Sequence, residues 1–197
     1  MNRAIKCILL MGTLLTMVAP AFCDTATDYY NRGTAKGSKG DYDGAIANLT
    51  KAIELKPDFV EAYVLRFAAR IEKGDRDGAI ADSTKVIELR PDYAPAYCGR
   101  GEAKRTKGDL DGAIADYTKA IELKPDFAIA YSNRGIAMFK KGDLDEAVTD
   151  FTEVIKLKPD DADAYLNRSI AKKAKGDIDG ANADYAKAKE LKAGSSR

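Results

Sequence analysis

Histidine and tryptophan are absent from the 197-residue sequence, and cysteine occurs only three times. Without histidine the chain lacks the commonest general base and the commonest metal ligand. The formal net charge is only +1, so no overall field attracts nucleic acid or anionic lipid. These absences weigh against an enzyme, a metal-binding protein and a nucleic-acid-binding protein. The hydrophobic content of 45% is nevertheless too high for a disordered chain.

The first 23 residues differ in composition from the rest of the chain. Arg3 and Lys6 precede an apolar run over residues 7–18, and small residues follow it. This pattern predicts a secretory signal peptide, residues 1–23, cleaved after Ala21 or Cys23. The alternative is an uncleaved membrane anchor, but the run is shorter than the roughly 20 residues that span a bilayer. We therefore expect an exported protein, periplasmic or secreted.

Cysteine contributes little to the expected stability. If cleavage follows Cys23, Cys98 is the only cysteine left, and it cannot form an internal disulfide. We expect Cys98 to be a small residue at a helix contact, and a redox role has weak support.

A period of 34 residues runs through the rest of the chain without an insertion. It appears in five registers, which hold Tyr, Arg, Gly-Asp, Ala and Pro. The registers are Tyr29, Tyr63, Tyr97, Tyr131 and Tyr165; Arg32, Arg66, Arg100, Arg134 and Arg168; Gly40-Asp41, Gly74-Asp75, Gly108-Asp109, Gly142-Asp143 and Gly176-Asp177; Ala45, Ala79, Ala113, Ala147 and Ala181; and Pro57, Pro91, Pro125 and Pro159.

Each unit is predicted to form two helices. The Asp that follows each Pro should cap the first helix, and Asp58 with Glu61 has the spacing of a capping box. The Gly of Gly-Asp should end this helix in the left-handed conformation. The next Asp should cap the second helix, and Asp143 with Glu146 again has the capping-box spacing. Small residues in both helices, such as Gly101, should allow close packing.

This pattern resembles the tetratricopeptide repeat family over residues 26–195. The family's early aromatic residue, its Ala and its closing Pro correspond to the Tyr, Ala and Pro registers. Two departures stand out: Phe67 and Ser169 occupy a position where the other units have Gly, and Arg stands where the family usually has Leu. The resemblance implies an all-α fold, a right-handed α-solenoid of tandem antiparallel helical hairpins. The units would be 26–59, 60–93, 94–127, 128–161 and 162–195.

The last unit carries polar residues where the others are apolar. Asn182 replaces Ile or Val, and Lys189 replaces Ile, at positions that should face a following hairpin. A solenoid needs such a polar end for solubility. We therefore expect the unit 162–195 to be a capping repeat.

No chemistry-bearing motif stands outside the repeat. There is no Gly-rich phosphate loop and no Cys-x-x-Cys pair, and the carboxylates follow the 34-residue period. A site that occurs once should break the period. We expect a protein that is not an enzyme and that uses no metal or cofactor.

The resemblance implies that the first helices line a concave groove, which takes a peptide or helix of a partner protein. Groove positions should differ between units, because the repeat does not constrain them. Two apolar clusters and several asparagines satisfy this criterion; some of these side chains could instead pack inward or bond within their own helices. The candidate partner-binding residues are Asn31, Val64, Leu65, Ala68, Ile71, Ile129, Asn133, Ile136, Phe139 and Asn167.

The five Arg allow two interpretations. They could form a basic ladder for an acidic partner, or each could pair with an acid of its own unit. Asp82, Asp116, Asp150 and Asp184 share one phase of the second helix, where the first unit has Asn48. Strict periodicity favours the structural role, and we expect Arg100 to lie near Asp116.

The sequence therefore predicts an exported protein–protein interaction module or scaffold. Its partner should be a protein or peptide, with no nucleic acid and no membrane contact beyond the export signal. The alternative is a self-assembling structural component of the cell envelope, that is, a homo-oligomer. The sequence does not identify the partner or the pathway.

Overall fold

The computed structural model describes residues 24–194, and this part of the chain holds ten α-helices and no strand. The predicted signal peptide lies outside the described residues. The helices are α1 (Ala26–Gly37), α2 (Tyr42–Leu55), α3 (Val60–Lys73), α4 (Arg76–Leu89), α5 (Ala94–Lys107), α6 (Leu110–Leu123), α7 (Ala128–Lys141), α8 (Leu144–Leu157), α9 (Ala162–Lys175) and α10 (Ile178–Gly194).

The helices pack as consecutive pairs, α1 with α2 through α9 with α10, and each pair packs on the next. The α-solenoid expected from the sequence is confirmed. The pairs fall within the units that the 34-residue period defines, although the division into five repeats stays a prediction.

Glycine ends the first helix in four of the five pairs, as the sequence predicts; α1 instead ends at Gly37, three residues before Gly40. Gly40, Gly74, Gly108, Gly142 and Gly176 have φ between +76° and +99°, and a single Asp separates each of them from the second helix. A residue with a Cβ is strained in this conformation. The five glycines therefore fix the reversal of the chain within each pair.

Aspartate caps four of the second helices, as expected. Asp109, for example, accepts a hydrogen bond from the Gly112 amide at 2.9 Å, and Asp41, Asp75 and Asp177 do the same with Gly44, Gly78 and Gly180. The capping box predicted for Asp143 and Glu146 is wrong, since Asp143 makes no side-chain cap. In the capped helices, a Cβ on the donating glycine would collide with the Asp carboxylate. Glu146 stands at this position of α8, and a Cβ there does not by itself prevent a cap, since the Ala164 amide donates to Asp161 in α9.

The predicted caps of the first helices are wrong in four places. Phe59 and its counterparts Tyr93 and Phe127 occupy the N-cap positions and make no side-chain cap. The turn after each Pro is closed by the backbone instead: Phe59 donates to the Lys56 carbonyl, and Val60 donates to the Asp58 carbonyl. The helix therefore begins one residue too late for Asp58, Asp92 or Asp126 to cap it. Asp161, rather than Asp160, caps α9.

First helices lie on the inner side of the stack. The backbones of α1 and α3 approach each other closely, as do those of α5 and α7 and those of α7 and α9. No two second helices in the described part of the chain approach to the same extent. Elements that lie closest together occupy the inside of a curve, so the first helices line the concave surface. Helices α3 and α5 approach each other less closely than the other successive first helices.

Large and small residues alternate across the helix pairs. Gly101 of α5 faces Tyr117 of α6, where an added Cβ would lie 2.8 Å from the ring, and Gly135 faces Phe151 in the same way. Tyr117 is fully buried, with 0% of its surface exposed. The predicted close packing at these glycines is confirmed, and aromatic side chains fill the space that the missing Cβ leaves.

The outer face of α10 carries the polar residues that the sequence singled out. Asn182 and Lys189 are both exposed. Tyr185 and Ile178 of the same helix are also exposed, at 57% and 51% of their surfaces. Polar and apolar side chains therefore share this face, and the role of residues 162–195 as a capping repeat stays a prediction.

Candidate binding surface

Three adjoining cavities surround Ala68 on the inner surface. The first, about 260 Å³, lies between α1, α2 and α3 and is lined by Gly33, Leu49 and Leu65. The second, about 250 Å³, lies between α3, α4 and α5 and is described below. The third, about 330 Å³, lies between α3, α5 and α7. Ala68 is exposed and lines all three.

The second cavity is largely apolar. Its lining comprises Val64, Phe67, Ala68, Ser83, Val86, Tyr93, Pro95, Ala96 and Gly99. Ser83 is the only side chain among them that is both buried and polar, and its hydroxyl donates to the carbonyls of Ala79 and Ile80 at 2.9 and 3.0 Å. The Ser83 hydroxyl is therefore already hydrogen-bonded within its own helix.

The third cavity combines apolar and charged side chains. Ile71 and Phe127 line it together with Glu72, Glu102 and Asn133. Glu72 is exposed and makes no ion pair or hydrogen bond within residues 24–194. Glu72 also lines the first cavity, so its carboxylate borders two of the three cavities around Ala68.

A fourth cavity, about 260 Å³, lies between α7 and α9. Ile136, Phe139 and Asn167 line it, together with Lys140 and Ile170. Ile136 and Phe139 are half-buried and pack on the core around Phe151, whereas Ile170 is 46% exposed. Part of this predicted groove cluster therefore turns inward, and part stays open.

The structure brings together most of the candidate residues but not all of them. Val64, Leu65, Ala68 and Ile71 line the adjoining cavities around Ala68, with Asn133 at their edge; Ile136, Phe139 and Asn167 line the cavity between α7 and α9. Asn31 and Ile129 are exposed and line none of these cavities.

A polar cluster between α5 and α6 was not predicted. Arg105 donates to both carboxylate oxygens of Glu102, at 2.6 and 2.9 Å, and the Tyr117 hydroxyl donates to the same carboxylate at 3.1 Å. Burial, together with the neighbouring Glu102, raises the pKa of Tyr117 well above its usual range. The hydrogen bonds with Glu102 raise the pKa of Arg105. The signal was available, because Glu102 and Arg105 break the 34-residue period.

Cys98 lies at a helix contact, as expected. It is 6% exposed, and its Sγ lies 3.9 Å from the Asn133 Nδ2. Burial raises the pKa of Cys98 to about 11. The side chain is therefore a protonated thiol at neutral pH, and a thiol is a poor redox nucleophile.

The periodic Arg residues are paired inside the structure. Arg100 donates to both oxygens of Asp116, at 2.7 and 3.0 Å, which confirms that prediction. The same contacts join Arg66 to Asp82, Arg134 to Asp150 and Arg168 to Asp184. Arg32, which has Asn48 instead of an Asp in its own pair, is exposed and pairs with Asp24. The Arg ladder from α3 to α9 therefore belongs to the scaffold.

Each of these Arg side chains also reaches the preceding helix pair, which sequence reasoning missed. Arg134 donates to the Thr118 hydroxyl of α6 at 3.0 Å, and the counterparts of Thr118 are Thr50, Thr84 and Thr152. The guanidinium of Arg134 also lies 5.7 Å from the centre of the Tyr131 ring. Hydrogen bonds with Asp150 raise the pKa of Arg134, so it stays charged.

Residues 24–194 hold no group of three or more His, Cys, Asp or Glu side chains that could bind a metal ion. No helix in this part is long and apolar enough to cross a membrane.

Comparison with known proteins identifies the family. A profile described as tetratricopeptide repeat matches residues 26–59, and one described as TPR repeat matches residues 101–142 and 137–176. No curated protein matches the chain.

Several solved structures have the same fold. A crystal structure of MamA protein is 30% identical, with 85% of this chain and 92% of that chain covered and a TM-score of 0.80. A MamA from Desulfovibrio magneticus RS-1 is 20% identical, covers 87% and 97% of the two chains, and has a TM-score of 0.81. YrrB, described as a TPR protein with an unusual peptide-binding site, is 23% identical, covers 85% and 87%, and has a TM-score of 0.72. The chain belongs to the tetratricopeptide repeat family and folds as an interaction scaffold of stacked helical pairs.

Proposed function

We propose that this chain is a non-enzymatic scaffold that binds a peptide or helix of a partner protein on its inner surface. The observation that carries the proposal is the group of three adjoining cavities around the exposed Ala68. Soluble proteins rarely expose contiguous apolar surface unless something binds there. An apolar face of this kind suits the side chains of a helix or an extended segment. The description of YrrB as peptide-binding supports the same use of the fold.

The charged groups support a protein partner rather than a substrate. The Arg–Asp pairs are internal to the scaffold, and the Cys98 thiol is protonated at neutral pH. What remains on the inner surface is apolar area with a few charges at its edges. This composition gives selectivity for side chains. The lining residues include no histidine and no ionised thiol, and Glu72 is the carboxylate among them that has no partner within residues 24–194.

Peptide binding can be tested with a random 16-residue peptide display library selected against the full chain. Affinities of selected peptides would be measured by fluorescence anisotropy for the wild type and for a Leu65→Glu, Phe139→Glu variant. We expect a loss of about tenfold or more, because each Glu places a charge on apolar contact area.

A matched control is Ala81→Glu with Ala115→Glu, which adds the same two charges at exposed positions of second helices. Circular dichroism would check that both variants keep their helices. Equal affinity in the wild type and the inner-surface variant would rule out the proposed surface. A control variant that binds as weakly as the inner-surface variant would rule it out as well.

Self-assembly is a second candidate function, favoured by the exposed Tyr185 and Ile178 of α10. Apolar side chains on an outer helix can pair with another copy of the chain. Sedimentation equilibrium distinguishes the two functions, since the monomer has a mass of 21.3 kDa. A strict monomer at all concentrations excludes self-assembly.

We further propose that the protein is exported and works in a periplasm or outside the cell. The basic start and short apolar run of residues 1–23 support this. N-terminal sequencing of the protein from its native source tests it: the expected first residue is Phe22 or Asp24, and an intact Met1 would contradict cleavage.

A further inference from the structure

The second helix pair inverts the size pattern of its neighbours. In the third and fourth pairs a glycine on the first helix faces an aromatic side chain on the second, as in Gly101 with Tyr117. In the second pair the large residue is Phe67 on the first helix, and the small one is Ser83 on the second. The total volume is similar, but the ring now stands on the inner helix.

This inversion changes the space between α3 and α5. The Phe67 ring lies against Gly99 of α5, where an added Cβ would be 2.8 Å from the ring edge. The ring thus stands between two inner helices that approach each other less closely than their counterparts. Beneath it, Ser83 leaves empty the space that Tyr117 fills in the next pair. The result is the cavity of about 250 Å³ between α3, α4 and α5.

The size and lining of this cavity fit one large apolar side chain. An apolar cavity of about 150 Å³ is enough to hold benzene, so about 250 Å³ holds a phenyl, isobutyl or thioether side chain. Val64 and Val86 form apolar walls, and the Ser83 hydroxyl already bonds to its own helix. Burying a polar side chain in this largely apolar cavity would therefore cost more free energy than burying an apolar one.

The charge beside the cavity favours a basic neighbour. Glu72 and Glu102 are the only charged residues that line the three cavities around Ala68. Glu102 is neutralised by Arg105, whereas the exposed Glu72 has no partner within residues 24–194. A lysine or arginine next to the apolar side chain would place its cation near Glu72. Its methylene groups could then cover Ile71.

We propose that the cavity between α3, α4 and α5 is an anchor pocket for one large apolar side chain of a partner segment, next to a lysine or arginine that pairs with Glu72. This inference rests on the proposed function and specifies the partner chemistry. It predicts selectivity that a uniformly apolar groove would not have.

The test uses peptides selected from the 16-residue display library against the full chain. We expect the selected peptides to share one Phe, Leu, Ile or Met beside a Lys or Arg. Replacing that apolar residue by Ala should weaken binding about tenfold or more, as expected for one buried side chain. Glu72→Gln should weaken binding about two- to fivefold, as expected for an exposed ion pair.

Two variants close the pocket by different routes. Phe67→Gly with Ser83→Phe reproduces the arrangement of Gly135 and Phe151, and Val64→Phe fills the cavity from its rim. Either one should weaken binding about tenfold or more, and two routes guard against a variant that fails to fold. Ala81→Phe, which adds a ring at an exposed position of α4 outside the cavity, should bind as the wild type does.

The outcomes separate this inference from the proposed function. If peptides bind on the inner surface with equal affinity to the pocket-closing variants, the anchor pocket is wrong and the proposed function stands. If the wild type binds no peptide, both are wrong. If the wild type self-associates and the pocket-closing variants do not, the occupant is a second copy of the chain and the inference is overturned.

Discussion

At the scale of residues, the Arg ladder explains how the chain keeps a charge where the family usually has Leu. Arg100 lies on the ring of Tyr97, pairs with Asp116 of its own helix pair and donates to Thr84 of the preceding pair. Asp116 also pairs with Lys104 at 2.8 Å. A buried guanidinium is tolerated because these groups surround it. One side chain therefore connects three helices.

Removing the acid of this network should be costly. Asp116→Ala would leave Arg100 and Lys104 largely buried without their carboxylate, and we expect a loss of about 3–5 kcal/mol in the free energy of unfolding. Glu122→Ala, which breaks an exposed pair with Lys119, should cost less than about 1 kcal/mol. Urea denaturation followed by circular dichroism measures both. Equal costs for the two variants would contradict a structural role for the ladder.

Asp184 should make the free energy of unfolding depend on pH in the acidic range. Burial alone would raise its pKa, but hydrogen bonds from Arg168 and Lys172 outweigh burial, and the pKa lies below its usual value of 3.8. The folded state therefore stabilises the ionised carboxylate more than the unfolded state does. The contribution of Asp184 is fully present above pH 3.8 and is lost as the pH falls below it.

Urea denaturation between pH 7 and about pH 2.5 checks this dependence. The wild type should lose stability at the acid end, and Asp184→Asn should show a shallower loss because its side chain does not titrate. Parallel pH profiles for the two proteins would count against this account of Asp184.

At the scale of elements, the sequence predicted some helix ends and caps correctly and others wrongly. Gly-Asp predicted the end of four first helices and the cap of four second helices, because a positive φ and a carboxylate cap each favour particular residue types. The first-helix caps failed because the backbone closes the turn after each Pro, as at Phe59 and Val60. Backbone hydrogen bonds require no particular residue type, so the sequence does not predict this turn. The cap of α8 is absent although Asp143 and Glu146 have the capping-box spacing, so spacing alone does not decide whether a cap forms.

This difference between caps gives a matched pair of variants. Asp109 caps α6, so Asp109→Ala should cost about 0.5–2 kcal/mol in the free energy of unfolding. Asp143 occupies the same position of α8 without capping it, so Asp143→Ala should cost less than about 0.5 kcal/mol. Urea denaturation of the two variants measures the difference. A larger cost for Asp143→Ala would show that the α8 cap has been misassigned.

At the scale of the whole molecule, two parts of the inner surface carry unpaired side chains of opposite charge. Glu72, beside the cavities around Ala68, is exposed and unpaired within residues 24–194, and so is Lys140 beside the cavity between α7 and α9. A bound segment should therefore have one orientation, with its basic residue towards α3 and any acidic residue towards α7. Such polarity contributes more to specificity than to affinity.

Sequence reasoning predicted the fold from the periodicity, which is confirmed, and it took the candidate groove residues from the interruptions of that periodicity. It placed Val64, Leu65 and Ala68 in one cluster, and the structure brings them together. It did not predict the cavity between α3, α4 and α5. The large Phe67 and the small Ser83 affect this space because they lie on facing helices, and the sequence alone does not show that they face each other. The threonines of the Arg ladder were missed for a related reason: their contacts cross from one helix pair to the next.

The most direct test of the account is nuclear magnetic resonance of the ¹⁵N-labelled full chain titrated with a selected peptide. The account predicts that the perturbed backbone amides cluster on the inner faces of α3, α5 and α7, with the largest changes around Ala68 and Gly99. Perturbations concentrated on the second helices, or on the outer face of α10 around Tyr185, would contradict it.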